Sequence, residues 1–355
     1  MAMMRAIEQP LAMVESSLET FFADRVARAA SHGPSYSRLW ECAREAFRGG
    51  KRIRPRLLLT AYRGFGGEDH APAVSLACAY ELLHTAFLLH DDVIDGDTVR
   101  RGRPNVVGVF RRDAIDRGSA ARSAHRWGEV GAILAGDLLL QAATSKLARA
   151  EVDAPLRERL LDILDEGVFV TAAGELTDVA FSERIPPRTP ALEDVLAMTE
   201  SKTAAYSVSG PLTSGALLAG AGEEALVALA EFGRLVGIAF QLGDDLLGVF
   251  GSEDATGKSI FSDLREQKET SRIAFARGTP RWAEIAPSLG RPDLAAPEAE
   301  RVAGALEECG ARRFVEGLLR DHVDRAVAML GTPSIPPGLA GSLTRIARSC
   351  VGRAA

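Results

Sequence analysis

One stretch, residues 81–101, constrains this chain more than any other: ELLHTAFLLHDDVIDGDTVRR. It starts as an apolar helix, with Leu82, Leu83, Phe87, Leu88 and Leu89 spaced as a buried interior. Into that interior it places His84, His90, Asp91, Asp92 and Asp95. On a helix the three carboxylates fall within one turn of each other. His84 lies on the same stripe as Asp91, about 10 Å up the axis. Three carboxylates so close repel one another and raise each other's pKa. A divalent cation removes that cost, and Mg²⁺ suits carboxylates that share the ion with phosphate oxygens and water. A merely solvated helix end gives no reason to place acids there, because they oppose the macrodipole. A calcium loop is excluded as well, since Arg103 stands where its twelfth-position Glu would be. Arg100 and Arg101 follow at once, with fork geometry suited to phosphate.

The 355 residues are 46% apolar and 25% charged, an ordinary globular mixture. No Pro/Gly/Ser linker separates self-sufficient halves, so one domain over 1–355 is expected. The net charge is −6 with no long basic run, which argues against a nucleic-acid partner. Cys42, Cys78, Cys309 and Cys350 are scattered without a CxxC pair. That fits a reducing cytosol and not a zinc site. The first residues hold no apolar core long enough for a signal peptide. The most apolar segment, 73–90, carries Glu81 and His84 and reads as too short for a bilayer span, so no stable membrane insertion is expected. Among 42 basic residues only five are lysine: Lys51, Lys146, Lys202, Lys258 and Lys268. A compact ammonium reaches phosphates that a planar fork cannot, and four of the five lie in motifs.

Residues 6–30 and 35–48 read as amphipathic helices. Gly49-Gly50 ends the second, and Lys51-Arg52-Ile53-Arg54-Pro55 opens a third, with Lys51 and Arg54 on one face as a candidate anion site. The central helix spans 71–96. The segment 102–128, rich in Arg, Gly and Ser, reads as a long loop with one short helix. Helices at 129–150 and 155–181 follow, and the second contains Gly174-Glu175-Leu176-Thr177-Asp178. Its acids either face a metal site or are simply polar helix positions. After a proline-rich break at 182–190, a helix runs from 191 into Lys202-Thr203, a phosphate donor beside a hydroxyl. Residues 223–250 end in Phe240-Gln241-Leu242-Gly243-Asp244-Asp245, a second apolar helix closing in paired aspartates. Two such helices facing across a cavity would hold several Mg²⁺ ions around one diphosphate. The loop 251–263 adds Lys258, and Lys268 follows.

These pieces resemble the trans-isoprenyl diphosphate synthases, the polyprenyl synthetase family, and among them the geranylgeranyl diphosphate synthases. The resemblance rests on GGKRIRP at 49–55, ELLHTAFLLHDDVIDGDTVRRG at 81–102, SKTAAYS at 201–207, and FQLGDDLLGVFG with ATGKS at 240–259. It implies an all-α helical bundle around a deep apolar tunnel with aspartates at its mouth. It implies condensation of isopentenyl diphosphate with an allylic diphosphate, with three Mg²⁺ per active site, in a cytoplasmic homodimer. Asp91, Asp92, Asp95, Asp244 and Asp245 would bind Mg²⁺. Arg100, Lys202, Lys258 and Lys268 would contact the allylic diphosphate. Lys51, Arg54, His84 and Arg101 would hold isopentenyl diphosphate. Thr203 and Gln241 would sit by the developing carbocation.

The mechanism so implied is physically coherent. Ionising an allylic C–O bond needs its leaving diphosphate neutralised, and the cation kept from water. Ala86 and Phe87, five and four before Asp91, would govern product length, and alanine at the fifth position leaves room for a product near C20. The chain departs from the family pattern at Gly248, where an acid is common, and at Gln267, where a glycine commonly precedes the lysine. A class I terpene cyclase is a rival reading, but it would not need the site of Lys51, Arg54 and His84. A non-catalytic regulatory subunit is another, but it would be expected to lose acidic ligands.

Overall fold

The computed structural model describes residues 6–251, 262–291 and 293–354. The chain divides into two compact units, Met1–Asp162 with Ser214–Gly220, and Ile163–Thr213 with Ala221–Ala355. The described residues are helical apart from one short ribbon, as an all-α reading requires.

The first unit holds α1 (Glu8–Ala29), α2 (Pro34–Phe47), α3 (Ile53–Gly64) and α4 (His70–Ile94). The ribbon follows, β1 (Val99–Arg100) and β2 (Arg103–Pro104), then α5 (Val106–Asp116) and α6 (Ala121–Ala148). Asp69 caps α4 by accepting the Ala71 amide at 3.0 Å. Leu76, Leu82, Leu83, Ala86 and Leu89 of α4 are all at most 1% exposed. Burying each large side chain stabilises by roughly 1.5–3 kcal/mol, so α4 is held by its neighbours more than by its own propensity.

The segment expected to be a long loop is mostly helix. Its glycines divide between turns and packing positions: Gly102 and Gly118 take positive φ in turns, whereas Gly108 and Gly128 lie inside helices against neighbouring backbone. A Cβ at Gly128 would lie 2.5 Å from the Val107 carbonyl, and one at Gly131 would lie 2.8 Å from the Phe110 ring. Gly136 does the same for His90, whose Nε2 would be 2.2 Å from an added Cβ. These small residues let α6 pack closely on α4 and α5. The ribbon was not visible as strand alternation. Its two-residue turn has Arg101 at φ 52° and Gly102 at φ 70°, the left-handed pair that a tight hairpin needs.

The second unit takes most of α7 (Ala154–Ser182), then α8 (Leu192–Thr199), a π-helical segment (Glu200–Ser209), and the start of α9 (Gly210–Leu218). It continues with α10 (Glu223–Phe250), α11 (Ser262–Arg265), α12 (Ser271–Arg277), α13 (Trp282–Ile285), α14 (Ala296–Glu308), α15 (Ala311–Met329) and α16 (Pro337–Ala354). α10 packs on the π segment and on α15. Added Cβ atoms would lie 2.6 Å from the Ser209 Cα at Gly233 and 2.5 Å from the Ala204 Cα at Gly237, so these glycines let the wide π turn lie against α10. π-helical turns are rare and concentrate at functional sites.

The expectation that 73–90 is too short for a membrane corrects to a longer element. α4, α6 and α10 are each long and apolar enough to cross a bilayer by length and composition. In α4, 78% of the most apolar window is buried inside the protein, which accounts for its hydropathy without lipid.

Candidate active site

In the first unit the site grows from the C-terminal end of α4. Asp91 and Asp95 lie one turn apart and are half-buried, and the Asp95 amide donates to the Asp91 carbonyl at 2.8 Å. Asp92 is different: it is 1% exposed, and its Oδ1 accepts from Arg100 Nε at 2.7 Å. Burial raises the Asp92 pKa, opposed by Arg100. Burial works against the Arg100 charge too, but Asp92, then Asp91 and Asp97, hold its pKa above the ordinary value. Two residues assigned separate roles, metal and diphosphate, are thus joined to each other.

The loop after α4 is tied down by Asn105. Its Nδ2 donates to the Asp97 carbonyl at 2.8 Å, its amide donates to the Thr98 carbonyl at 3.1 Å, and its Oδ1 caps α5. The ribbon therefore presents Arg100 and Arg101 in fixed positions. Arg101 Nη1 donates to the Arg48 carbonyl at 2.9 Å, which links the ribbon to the glycine turn before α3. Lys51 on that turn is exposed, and Arg54 is half-buried. His84 faces the same cluster. Burial, then Arg54, Arg101, Arg100 and Arg52, hold its pKa well below 6.5. Arg101 is lowered by burial and by Arg100 and Arg52. Arg54, His84 and Arg101 are gathered as expected, into a concentration of positive charge that an anionic ligand would relieve.

In the second unit the π segment carries Lys202 and Thr203. Lys202 Nζ lies 2.6 Å from Asp178 Oδ2 and 3.0 Å from Glu175 Oε2. Burial opposes its charge, but Asp178 and Glu175 raise its pKa. The acids of the 174–178 stretch are therefore the lysine's partners. Gly174 makes the approach possible, since a Cβ there would sit 2.3 Å from the Lys202 amide nitrogen. Thr203 Oγ1 donates to Gln241 Oε1 at 3.1 Å, and Gln241 Nε2 donates to Asp245 Oδ1 at 2.9 Å. Burial pushes Asp245 up to about 6, opposed by Arg272 and reinforced by Asp263.

Sequence reasoning missed Arg272 and Asp263. Arg272 is 1% exposed, donates Nη2 to Asp263 Oδ2 at 2.8 Å, and also donates Nη1 to the Asp245 carbonyl. The signal that pointed there was Gly248. A Cβ on it would lie 2.6 Å from Asp263 Oδ2, so the Asp263 carboxylate fills the room left by the missing side chain. Gln267 adopts φ 56°, the left-handed backbone that explains the common glycine. Lys268 Nζ pairs with Glu266 at 3.0 Å. Lys258 lies outside the described residues. Lys146, the lysine outside the motifs, donates Nζ to Ser17 Oγ at 3.1 Å and ties α6 to α1.

Among the described residues no three His, Cys, Asp or Glu side chains converge as a ready-made ion cage. Mg²⁺ keeps several waters and takes one or two carboxylates plus substrate phosphates. Asp91 and Asp95, on adjacent turns of α4, fit that demand.

A helical protein that pairs such carboxylates with clustered arginines and a neutral histidine belongs to the class of helical enzymes acting on diphosphates. The comparisons narrow the class. Residues 37–293 match the family model described as polyprenyl synthetase. A (2E,6E)-farnesyl diphosphate synthase of Mycobacterium tuberculosis is 34% identical over 86% of this chain and 80% of its own length. A geranylfarnesyl diphosphate synthase of Aeropyrum pernix is 35% identical over 78% and 82%. Among solved structures, a geranylgeranyl pyrophosphate synthase from Corynebacterium glutamicum, complexed with isoprenyl diphosphate and magnesium, superposes with a TM-score of 0.90 at 27% identity, covering 98% of this chain and 99% of that one. The chain belongs to the polyprenyl synthetase family, whose members are Mg²⁺-dependent, and it is a trans-prenyltransferase.

Proposed function

We propose that the protein condenses isopentenyl diphosphate head-to-tail with an allylic diphosphate to give a product near C20, releasing diphosphate. The observation that carries the chain length is Ala86. It is wholly buried in α4, five residues before Asp91, and contributes only a methyl group. A larger side chain at that place would shorten the space open to the growing chain.

Asp91, Asp95, Asp244 and Asp245 would hold Mg²⁺, three ions per site, with Asp92 serving them through Arg100. The bound ions supply charge neutralisation for the leaving diphosphate. Lys202 adds a fixed ammonium, and Arg100, Lys258 and Lys268 complete the allylic set. Lys51, Arg54, Arg101 and His84 seat the donor diphosphate. His84, held neutral by burial and then by its neighbouring arginines, offers an uncharged ring N–H to that anion. Gln241 orients the Thr203 hydroxyl beside the reacting carbons. The chain works as one catalytic domain, in a cytoplasmic homodimer without stable membrane insertion. None of the four cysteines is disulfide-bonded, which suits a reducing compartment.

Purified protein should be incubated with isopentenyl diphosphate, Mg²⁺ and dimethylallyl, geranyl or farnesyl diphosphate in turn, and the dephosphorylated products chromatographed. A dominant C20 alcohol is expected, and a clean C15 product refutes the reading. Ala86→Phe should shorten the product by at least one five-carbon unit. An unchanged product places the determinant elsewhere.

A further inference from the structure

Arg52 stands among Lys51, Arg54 and Arg101, yet its guanidinium faces inward. It is 7% exposed. Nε donates to Glu15 Oε1 at 2.5 Å and Nη2 to Glu15 Oε2 at 3.1 Å. Nη1 donates both to Glu81 Oε1 and to the Phe47 carbonyl, each at 2.8 Å. The group also lies over the Phe47 ring, 4.1 Å from its centroid. A guanidinium so engaged has little left to offer a phosphate.

Its backbone is unusual as well. Arg52 has φ 52°, a left-handed conformation that strains a non-glycine residue and persists only when the surroundings over-determine it. Here the surroundings are two carboxylates, a carbonyl and a ring. Arg101, also left-handed, bonds the Arg48 carbonyl on the same turn. Between the two arginines lies Gly50, where a Cβ would sit 2.9 Å from Arg52 Nη1, 3.6 Å from Glu81 Oε1 and 3.7 Å from Arg101 Nη2. Glu81 is 3% exposed, sits three residues before His84 on α4, and leaves Oε2 buried without a hydrogen-bond partner. That is costly for a carboxylate unless the surrounding cations compensate it.

We propose that Arg52 and Glu81, with Glu15 as the outer brace, are positioning residues of the donor-diphosphate subsite. The proposal rests on the assignment of Lys51, Arg54, His84 and Arg101 to isopentenyl diphosphate. Arg52 pins the 49–52 turn so that Lys51 and Arg54 point to one place. Glu81 supplies the buried negative charge that lets several cations and His84 coexist before the anion arrives.

The test is steady-state kinetics with isopentenyl diphosphate varied at saturating dimethylallyl diphosphate, and the reverse, on wild type, Lys51→Ala, Glu81→Gln and Glu15→Gln. Glu81→Gln should raise KM for isopentenyl diphosphate about tenfold, with kcat and the allylic KM within about twofold, as loss of uniform binding requires. Glu15→Gln, changed on the partly exposed side of the network, should raise the same KM about threefold. If Glu81→Gln loses its helical circular dichroism, Glu15→Gln decides by the same criterion. If Lys51→Ala raises that KM while Glu81→Gln and Glu15→Gln leave it unchanged, the positioning role is wrong and the donor site stands. If Lys51→Ala leaves it unchanged, the donor assignment falls and the proposal with it. An equal loss in kcat and both KM values means a general structural role and overturns it.

Discussion

His84 shows how a residue's role follows from what surrounds it. A histidine seven before an aspartate on an apolar helix could be a ligand, a base or a filled core position. Burial and four arginines decide the matter by keeping it neutral. The sign has a consequence for stability. Because the folded pKa is depressed, the unfolded chain binds more protons between that pKa and about 6.5. His84 therefore favours folding above pH 6.5 and disfavours it as pH falls through that window, with a slope of at most about 1.4 kcal/mol per pH unit. His84→Gln keeps a neutral hydrogen-bonding side chain and removes the titration. Thermal melts at pH 7.5, 6.5 and 5.5 should show the variant losing less stability on acidification than wild type. Equal losses would mean that His84 titrates normally in the folded protein. The residues that carry this environment were only half legible. Arg54, Arg100 and Arg101 carry assigned roles in their motifs, whereas Arg52 and Glu81, inside the same motifs, carry none. Only folding shows that they bond to each other.

At the scale of elements, the helices at both aspartate pairs were legible because their apolar runs are long and their ends are marked. α10 begins and ends at the residues expected, and α4 lies within two of them. The segment 102–128 was not legible, because Gly108 and Gly128 look like breaks when their use is to let neighbouring backbone approach a helix. The π segment left no trace in the pattern. Its extra width comes from tertiary contacts, with Gly174, Gly233 and Gly237 clearing space for its backbone. That predicts an unusually sharp response to a single methyl group. Gly237→Ala would drive a Cβ to 2.5 Å from the Ala204 Cα and displace the segment that carries Lys202 and Thr203. Overpacking of this kind costs about 1–3 kcal/mol, so the melting temperature should fall by several degrees. The kcat should fall more than tenfold, because misplacing catalytic groups by about 1 Å costs on the order of a hundredfold. A variant with normal kcat would show that the π turn does not set the geometry of Lys202 and Thr203.

At the scale of the molecule, the surface of the second unit bears on the expected homodimer. On α7, Phe169 is 72% exposed and Leu176 is 73% exposed. Seven residues apart, they stack two turns along one side of the helix. Single exposed apolar residues need no explanation, but two large ones aligned on one stripe mark a surface that water covers poorly. A second copy of the chain would cover it. Burying both side chains across a two-fold axis removes four of them from water, each favourable by roughly 1.5–3 kcal/mol before the entropic cost of association. A stable interface also needs about 800 Å² from each partner, so these two would anchor a larger patch. Sedimentation velocity at micromolar concentration should give about twice the chain mass of 37.8 kDa. The double variant Phe169→Asp with Leu176→Asp should sediment as a monomer while keeping its helical circular dichroism, since neither side chain is part of a core. A wild-type monomer would remove the dimer, and a dimeric double variant would move its interface to another face of the molecule.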